Sequence, residues 1–158
     1  MDFGWTDGGD QTVLIGIKIF ENCLYVKQYL NSKHLSNNEV LAHKIVDCGF
    51  DCFTPIFADY ASMGKERIKK LCSAGDGEWT DPDICRGFNI MNAKKGRVID
   101  GLNKMLQFDK ILITESSEDT RVEFGNYELG PEGEEKSKHQ NTVDATRYAV
   151  CSYQLLYT

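Results

Sequence analysis

From residue 13 onward the chain alternates in the way a paired, extended backbone requires. Val13, Ile15, Ile17 and Ile19 interleave with Leu14, Gly16, Lys18 and Phe20, a period of two that places one continuous apolar face along a strand. Glu21-Asn22-Cys23 reads as a turn and residues 24–30 as the antiparallel return. The segment around Asp2 is then the strand that enters this meander.

Downstream the period changes. Asn37 and Asn38 can cap a helix in which Val40, Leu41, Ile45 and Cys48 recur at helical spacing until Gly49 stops it. A short strand is expected over 55–59 and a helix over 65–73, with Ile68, Leu71 and Cys72 inward. Residues 76–85 read as a polar loop. The same signals give a strand over 88–91, a helix over 97–108, a strand over 110–114 and a helix over 117–127. A Gly-, Glu- and Lys-rich loop over 130–140 precedes a last helix running from about Val143 to the C-terminus. A meander followed by alternating helices and strands implies an α/β fold. Its mixed sheet is antiparallel first and parallel afterwards, with helices on both faces.

At 158 residues this fits a single domain, and no repeat or linker divides it. The apolar run 13–19 is broken by Gly16 and Lys18, well short of the roughly 20 apolar residues a membrane span needs. No basic region followed by an apolar core marks a signal peptide. The six cysteines are scattered rather than paired in zinc-ligand spacing, which reads as reduced thiols. A net charge of -6 argues against a protein that holds nucleic acid mainly through a basic surface. Locally the balance reverses, because residues 60–110 carry ten Lys/Arg against seven Asp/Glu.

Three aspartates stand out against this background. Asp2 precedes a glycine-rich turn and the first apolar strand, Asp59 ends the apolar run Ile56-Phe57-Ala58, and Asp144 opens the apolar C-terminal helix. With Tyr148, Cys151 and Leu155 at i+4, i+7 and i+11, Asp144 shares the helix face that would pack on the sheet. Carboxylates beside core residues cost solvation energy and repel one another when they converge, and a divalent cation removes both problems. An all-oxygen site suits Mg²⁺ or Mn²⁺. Each aspartate also has an ordinary reading: terminal residue, strand-end turn, or helix-dipole partner. Asp10, and after it Asp7, compete with Asp2 as the first ligand. Lys94, Lys95 and Arg97 are candidate phosphate contacts, though lysines at a helix start are more often a solvated face.

Three segments together carry a resemblance. Asp2-Phe3-Gly4-Trp5 with Asp10-Gln11-Thr12-Val13-Leu14, then Ile56-Phe57-Ala58-Asp59-Tyr60-Ala61, then Asn141-Thr142-Val143-Asp144-Ala145-Thr146-Arg147-Tyr148-Ala149 resemble the nuclease domain of the large terminase subunit of tailed bacteriophages. The closing D-A-x-R-Y element is the most specific part. The resemblance implies an RNase H-like fold and a single nuclease domain over 1–158, with the ATPase motor outside this chain. It also implies a metal-dependent endonuclease that cuts concatemeric double-stranded viral DNA with two divalent ions, Mg²⁺ or Mn²⁺. It maps the catalytic and metal-binding triad onto Asp2, Asp59 and Asp144. Implied partners are DNA, the ATPase domain of the same subunit, the small terminase subunit and the portal, in the cytoplasm of an infected host. Many relatives carry histidine where this chain has Asn141, and His139 is the nearby substitute. The absence of G-x-x-x-x-G-K-[ST] agrees with a motor lying elsewhere. Alternatives are a Holliday junction resolvase of the same fold, a nucleotide-binding ATPase-type domain, and a non-catalytic module.

Overall fold

The chain is described by a computed structural model that covers residues 1, 11–33, 35, 37–59, 64–72, 87–133, 141–153 and 156. Strand β1 (Thr12–Phe20) pairs antiparallel with β2 (Cys23–Ser32), closing at Phe20 opposite Cys23. The turn is therefore two residues, Glu21 and Asn22, both at positive φ (48° and 57°). Cys23, expected in the turn, belongs to the strand. This is the type I′ pattern, whose left-handed backbone at both positions matches the twist of the strands, and which asparagine tolerates and glutamate does not favour.

Helix α1 (Asn38–Asp47) follows, capped by the Asn37 side chain, which accepts from the Glu39 and Val40 amides. Then come β3 (Ile56–Ala58), α2 (Gly64–Cys72), β4 (Ile90–Asn92), α3 (Val98–Met105), β5 (Lys110–Ile113), α4 (Glu118–Gly125) and α5 (Asn141–Ser152). Among the described residues the strands form two groups. One has the order β1-β2-β5 with β5 parallel to β2; the other is the parallel pair β3-β4. The expected mixed sheet, antiparallel and then parallel, is what the chain builds.

Adjacent residues feed opposite sides of these strands. Leu14 joins Leu41 and Ile45 of α1, Ile56 and Ala58 of β3, Ile68 and Leu71 of α2, and Ile90 of β4 in one core. Val13 and Ile15 join Leu24, Val26, Met105 of α3, and Ala145 and Val150 of α5 in the other. Helices thus cover both faces, and strand alternation decides which helix each side chain meets. Among the described residues no helix is long and apolar enough to cross a membrane.

Other expectations need correction. Cys72, expected inward on α2, is exposed. The apolar face of β1 is not buried throughout: Val13 and Ile15 are, but Ile19 is 36% exposed, because the hairpin extends past the helices that cover its base. The last helix begins at Asn141, ahead of the expected Val143, because Glu123 of α4 caps it from outside. The expected loop over 76–85 lies outside the described residues.

The hairpin gives a first prediction. A left-handed backbone costs a non-glycine residue roughly 1–2 kcal/mol, and asparagine recovers part of that through local hydrogen bonding. Glu21→Asn should raise the unfolding free energy by about 0.5–1 kcal/mol in urea titrations; an unchanged or lower value would show that the turn is not strained at Glu21.

Candidate functional site

Asp59 leaves the end of β3, and the pairing of β3 with β4 decides what it meets. Ala58 lies opposite Asn92, and the Ala93 amide donates to the Ala58 carbonyl oxygen at 2.8 Å, so the two strands end side by side. The segment after β4 then carries Lys95 back to Asp59, and the ammonium forms an ion pair with Asp59 Oδ2. The Asp59 side chain is 13% exposed.

That segment is fastened to α5. The Lys94 amide donates to Ser152 Oγ at 2.7 Å, and Arg147 Nη1 donates to the Lys95 carbonyl oxygen at 3.1 Å. Arg147 also reaches one turn back along its own helix, donating to Asp144 Oδ1 from Nη2 at 2.8 Å and from Nε at 3.2 Å. Its guanidinium lies 5.0 Å from the Tyr148 ring centroid, with the Lys95 ammonium at 5.9 Å from the same ring. Two ion pairs, Asp59–Lys95 and Arg147–Asp144, are linked by the Arg147 bond to the Lys95 carbonyl and together join β3, the β4–α3 segment and α5. Space for the arginine comes from α3: a Cβ on Gly101 would stand 2.5 Å from Arg147 Cγ.

A second carboxylate fixes the start of α5. Glu123 accepts from the Thr142 amide at 2.8 Å and from the Thr142 hydroxyl at 2.6 Å, satisfying a donor in the first turn of the helix. Burial pushes the Glu123 carboxyl above its usual range, and the Thr142 bonds oppose that shift. By holding Thr142, Glu123 sets the first turn from which Asp144 projects.

The sequence-derived candidates divide as follows. Asp59 and Asp144 come together through Lys95 and Arg147. Lys95 is half-buried at the site and engaged with Asp59, whereas Lys94 is exposed. Arg97 is exposed and bonds Asp100 of its own helix at 2.9 and 3.1 Å. Asn141 is the half-buried first residue of α5. Asp2, Asp7, Asp10 and His139 lie outside the described residues. Met1 is described, and its nitrogen donates to the Phe57 carbonyl oxygen, two residues before Asp59, at 2.6 Å. Sequence reasoning singled out neither Glu123 nor Arg147 as a functional residue. Arg147 lies at i+3 from Asp144 within the D-A-x-R-Y element, and Glu123 opens a further resembling segment, 123–127, but neither position reveals its partner by local spacing.

Among the described residues no group of three His, Cys, Asp or Glu side chains is placed to hold a metal ion. The donor set is nonetheless of the right kind at two positions: two partly hidden carboxylates, each already held against a cation. A cleft of about 480 Å³ between β1 and β3, lined by Ile15, Ile17, Phe57, Ala149 and Tyr153 among others, includes neither aspartate. Its lining is mainly apolar, so the charge chemistry belongs to the strand ends instead.

The chain has the fold of a terminase nuclease domain. It superposes on the nuclease domain of the large terminase (g2p) from the bacteriophage SPP1, solved with bound Mn, with a TM-score of 0.67 and 22% sequence identity. The match covers 97% of this chain and 82% of that one. No protein-family model matches the sequence, and a search of curated proteins finds no match.

The raised Glu123 carboxyl has a measurable consequence. The folded chain holds this proton to higher pH than the unfolded chain, whose reference value is 4.5. Between that value and the folded one the native state binds more protons, so this group's contribution to stability falls as pH rises. Unfolding free energies measured from pH 4 to 8 should lose that downward component in Glu123→Gln; parallel pH profiles for the two proteins would contradict it.

Proposed function

We propose that this chain is the nuclease domain of a viral genome-packaging terminase, a metal-dependent endonuclease that cuts double-stranded DNA. The observation that carries the reading is the convergence of Asp59 and Asp144, from distant parts of the sequence, on one charge network within a fold shared with a Mn-bound nuclease domain. Asp2, one peptide bond beyond the Met1 residue that bonds β3, completes the proposed triad. Two divalent ions, Mg²⁺ or Mn²⁺, are the proposed cofactors. When bound at carboxylates such a pair activates an attacking water and stabilises the leaving 3′ oxygen of an in-line displacement.

The chain's own groups have separable tasks. Asp59 and Asp144 supply hard oxygen ligands from two rigid elements, a strand end and a helix. Arg147 orients Asp144: both of its bonds go to Oδ1, which leaves Oδ2 for a ligand. Lys95 neutralises Asp59 and stands next to where a cation would replace it. Once displaced, its ammonium is a phosphate contact beside the acidic site, as a point charge suits. Lys94 and Arg97 extend the same stretch. An ATPase domain of the same subunit, the small terminase subunit and the portal are the proposed assembly partners, in the infected host cytoplasm.

Supercoiled plasmid incubated with Mn²⁺, Mg²⁺ or EDTA tests the activity. Cleavage should need the metal and fall about 100-fold or more in Asp59→Asn and in Asp144→Asn, because each removes a ligand from the ions that do the chemistry. Equal nicking by variants and wild type would reject the assignment, and selective cutting of four-way junctions over linear duplex would move it to a junction resolvase. The Lys95 role is tested without DNA. A partly exposed ion pair is worth up to about 1 kcal/mol, so Lys95→Met should bind Mn²⁺ about fivefold more tightly in titration calorimetry. Weaker binding would make Lys95 a support of the site rather than a competitor.

A further inference from the structure

One face of the three-stranded sheet is left open at its hairpin end, and its composition is unlike that of the rest of this acidic chain. Along β2, Leu24 and Val26 are buried while Tyr25 and Lys27 are exposed. The register places Lys18 opposite Tyr25 and Gly16 opposite Lys27 on β1, and Leu112 opposite Tyr25 and Lys110 opposite Cys23 on β5. The outward face therefore carries Lys18, Lys27 and Lys110 with Phe20, Tyr25 and Tyr29, and no strand position on it is acidic. Carboxylates stay at the rim: Glu21 in the turn, Asp109 before β5 and Asp47 at the end of α1.

The aromatic and cationic groups are arranged together. Tyr29 lies across β1 where Gly16 has no side chain; a Cβ there would meet the ring at 2.5 Å. The Lys27 ammonium is 4.7 Å from the Tyr29 ring centroid, and that of Lys18 is 5.8 Å from the Phe20 centroid. Phe20 is 53% exposed and Tyr25 39%. Edge lysines often serve only to discourage strand pairing, but β2 is the central strand of the three, so Lys27 has no edge to guard. Protein interfaces enrich aromatics and deplete lysine, whereas surfaces for single-stranded nucleic acid combine both.

We infer that this face binds single-stranded nucleic acid, stacking unpaired bases on Tyr25 and its aromatic neighbours while Lys18, Lys27 and Lys110 contact the phosphates. Tyr25 and Phe20 are diagonal neighbours across β1 and β2, about 7–8 Å apart at Cα, so bases splayed from one strand can meet both rings. Duplex DNA keeps its bases stacked inside and gains only the charge contacts. The face is separate from the Asp59–Asp144 site, and this inference does not rest on the nuclease reading.

Fluorescence anisotropy of a labelled oligothymidylate with the full chain, in EDTA at low salt, tests it. Three phosphate contacts predict a slope of about -2 in log affinity against log salt, and duplex of equal length should bind more weakly. Tyr25→Ala should weaken binding about tenfold while Tyr25→Phe, which keeps the ring, retains it. Lys18→Gln with Lys27→Gln should bring the slope to about -1. No oligonucleotide binding by the wild type, or equal binding by Tyr25→Ala, overturns the inference. So does a dimer that Tyr25→Ala splits and that binds no oligonucleotide, which would make this face a self-association surface. Because the assay excludes metal, these outcomes are independent of whether the chain cleaves DNA.

Discussion

The guanidinium of Arg147 is a cation with a side chain only 5% exposed, and the geometry of the site depends on how its charge is satisfied. Burying a charge costs several kcal/mol even after the surroundings relax, so it persists only with good partners. Here they come from three directions: the Asp144 carboxylate on its own helix, the Lys95 carbonyl across the β4–α3 segment, and the Tyr148 ring. Removing one partner of such a group typically costs about 3–5 kcal/mol, more than any surface ion pair contributes. The position of Asp144 and the course of the segment that carries Lys95 are thus coupled to folding itself. A loose site and a folded chain are hard to have at once.

Helix α5 is where these demands meet. It packs on β1, α3, α4 and β3, placing Ala145 and Val150 in one core and Tyr148 against Phe57 and Ala93 in a smaller cluster beneath the site. Its N-terminus is held by Glu123 and its last turn by the Ser152 contact to Lys94. A helix anchored at both ends can hold a carboxylate to the sub-ångström tolerance that metal and phosphoryl chemistry require, which a loop cannot do as well. Glycine at 101 is part of the same arrangement, since it lets α3 approach closely enough for the arginine stem to lie between the helices.

Much of this was legible in the residues because it is local. The period of two over 13–20 and the caps at Asn37 and Gly49 specify their elements without reference to anything distant. So does the strand ending at Asp59. Asp59 and Asp144 were singled out by their settings beside core residues, and both lie at the ends of the contacts made by Lys95 and Arg147; Asp2 lies outside the described residues. What could not be read has a common physical character, namely pairing between elements far apart in sequence. Glu123 caps a helix it does not belong to, Lys95 meets Asp59 through a strand register, and Ile19 is exposed because its covering helices stop short of the hairpin tip. None of these leaves a periodicity in the sequence.

Net charge also takes on a different meaning once the charges have positions. An acidic chain should repel a polyanion over distances up to the Debye length, about 8 Å at physiological ionic strength. Yet the two carboxylates of the candidate site are matched locally by Lys95 and Arg147, so the formal charge of the four groups cancels before any metal arrives. In the proposed nuclease, divalent ions held by these carboxylates would free the Lys95 ammonium and make that locus positive without moving an acidic residue on the rest of the surface. On that proposal the locus attracts phosphate when it is loaded with metal, and the net charge of -6 adds no attraction of its own there. On that proposal the pull on phosphate at this locus depends on where the cations sit rather than on how many the chain carries.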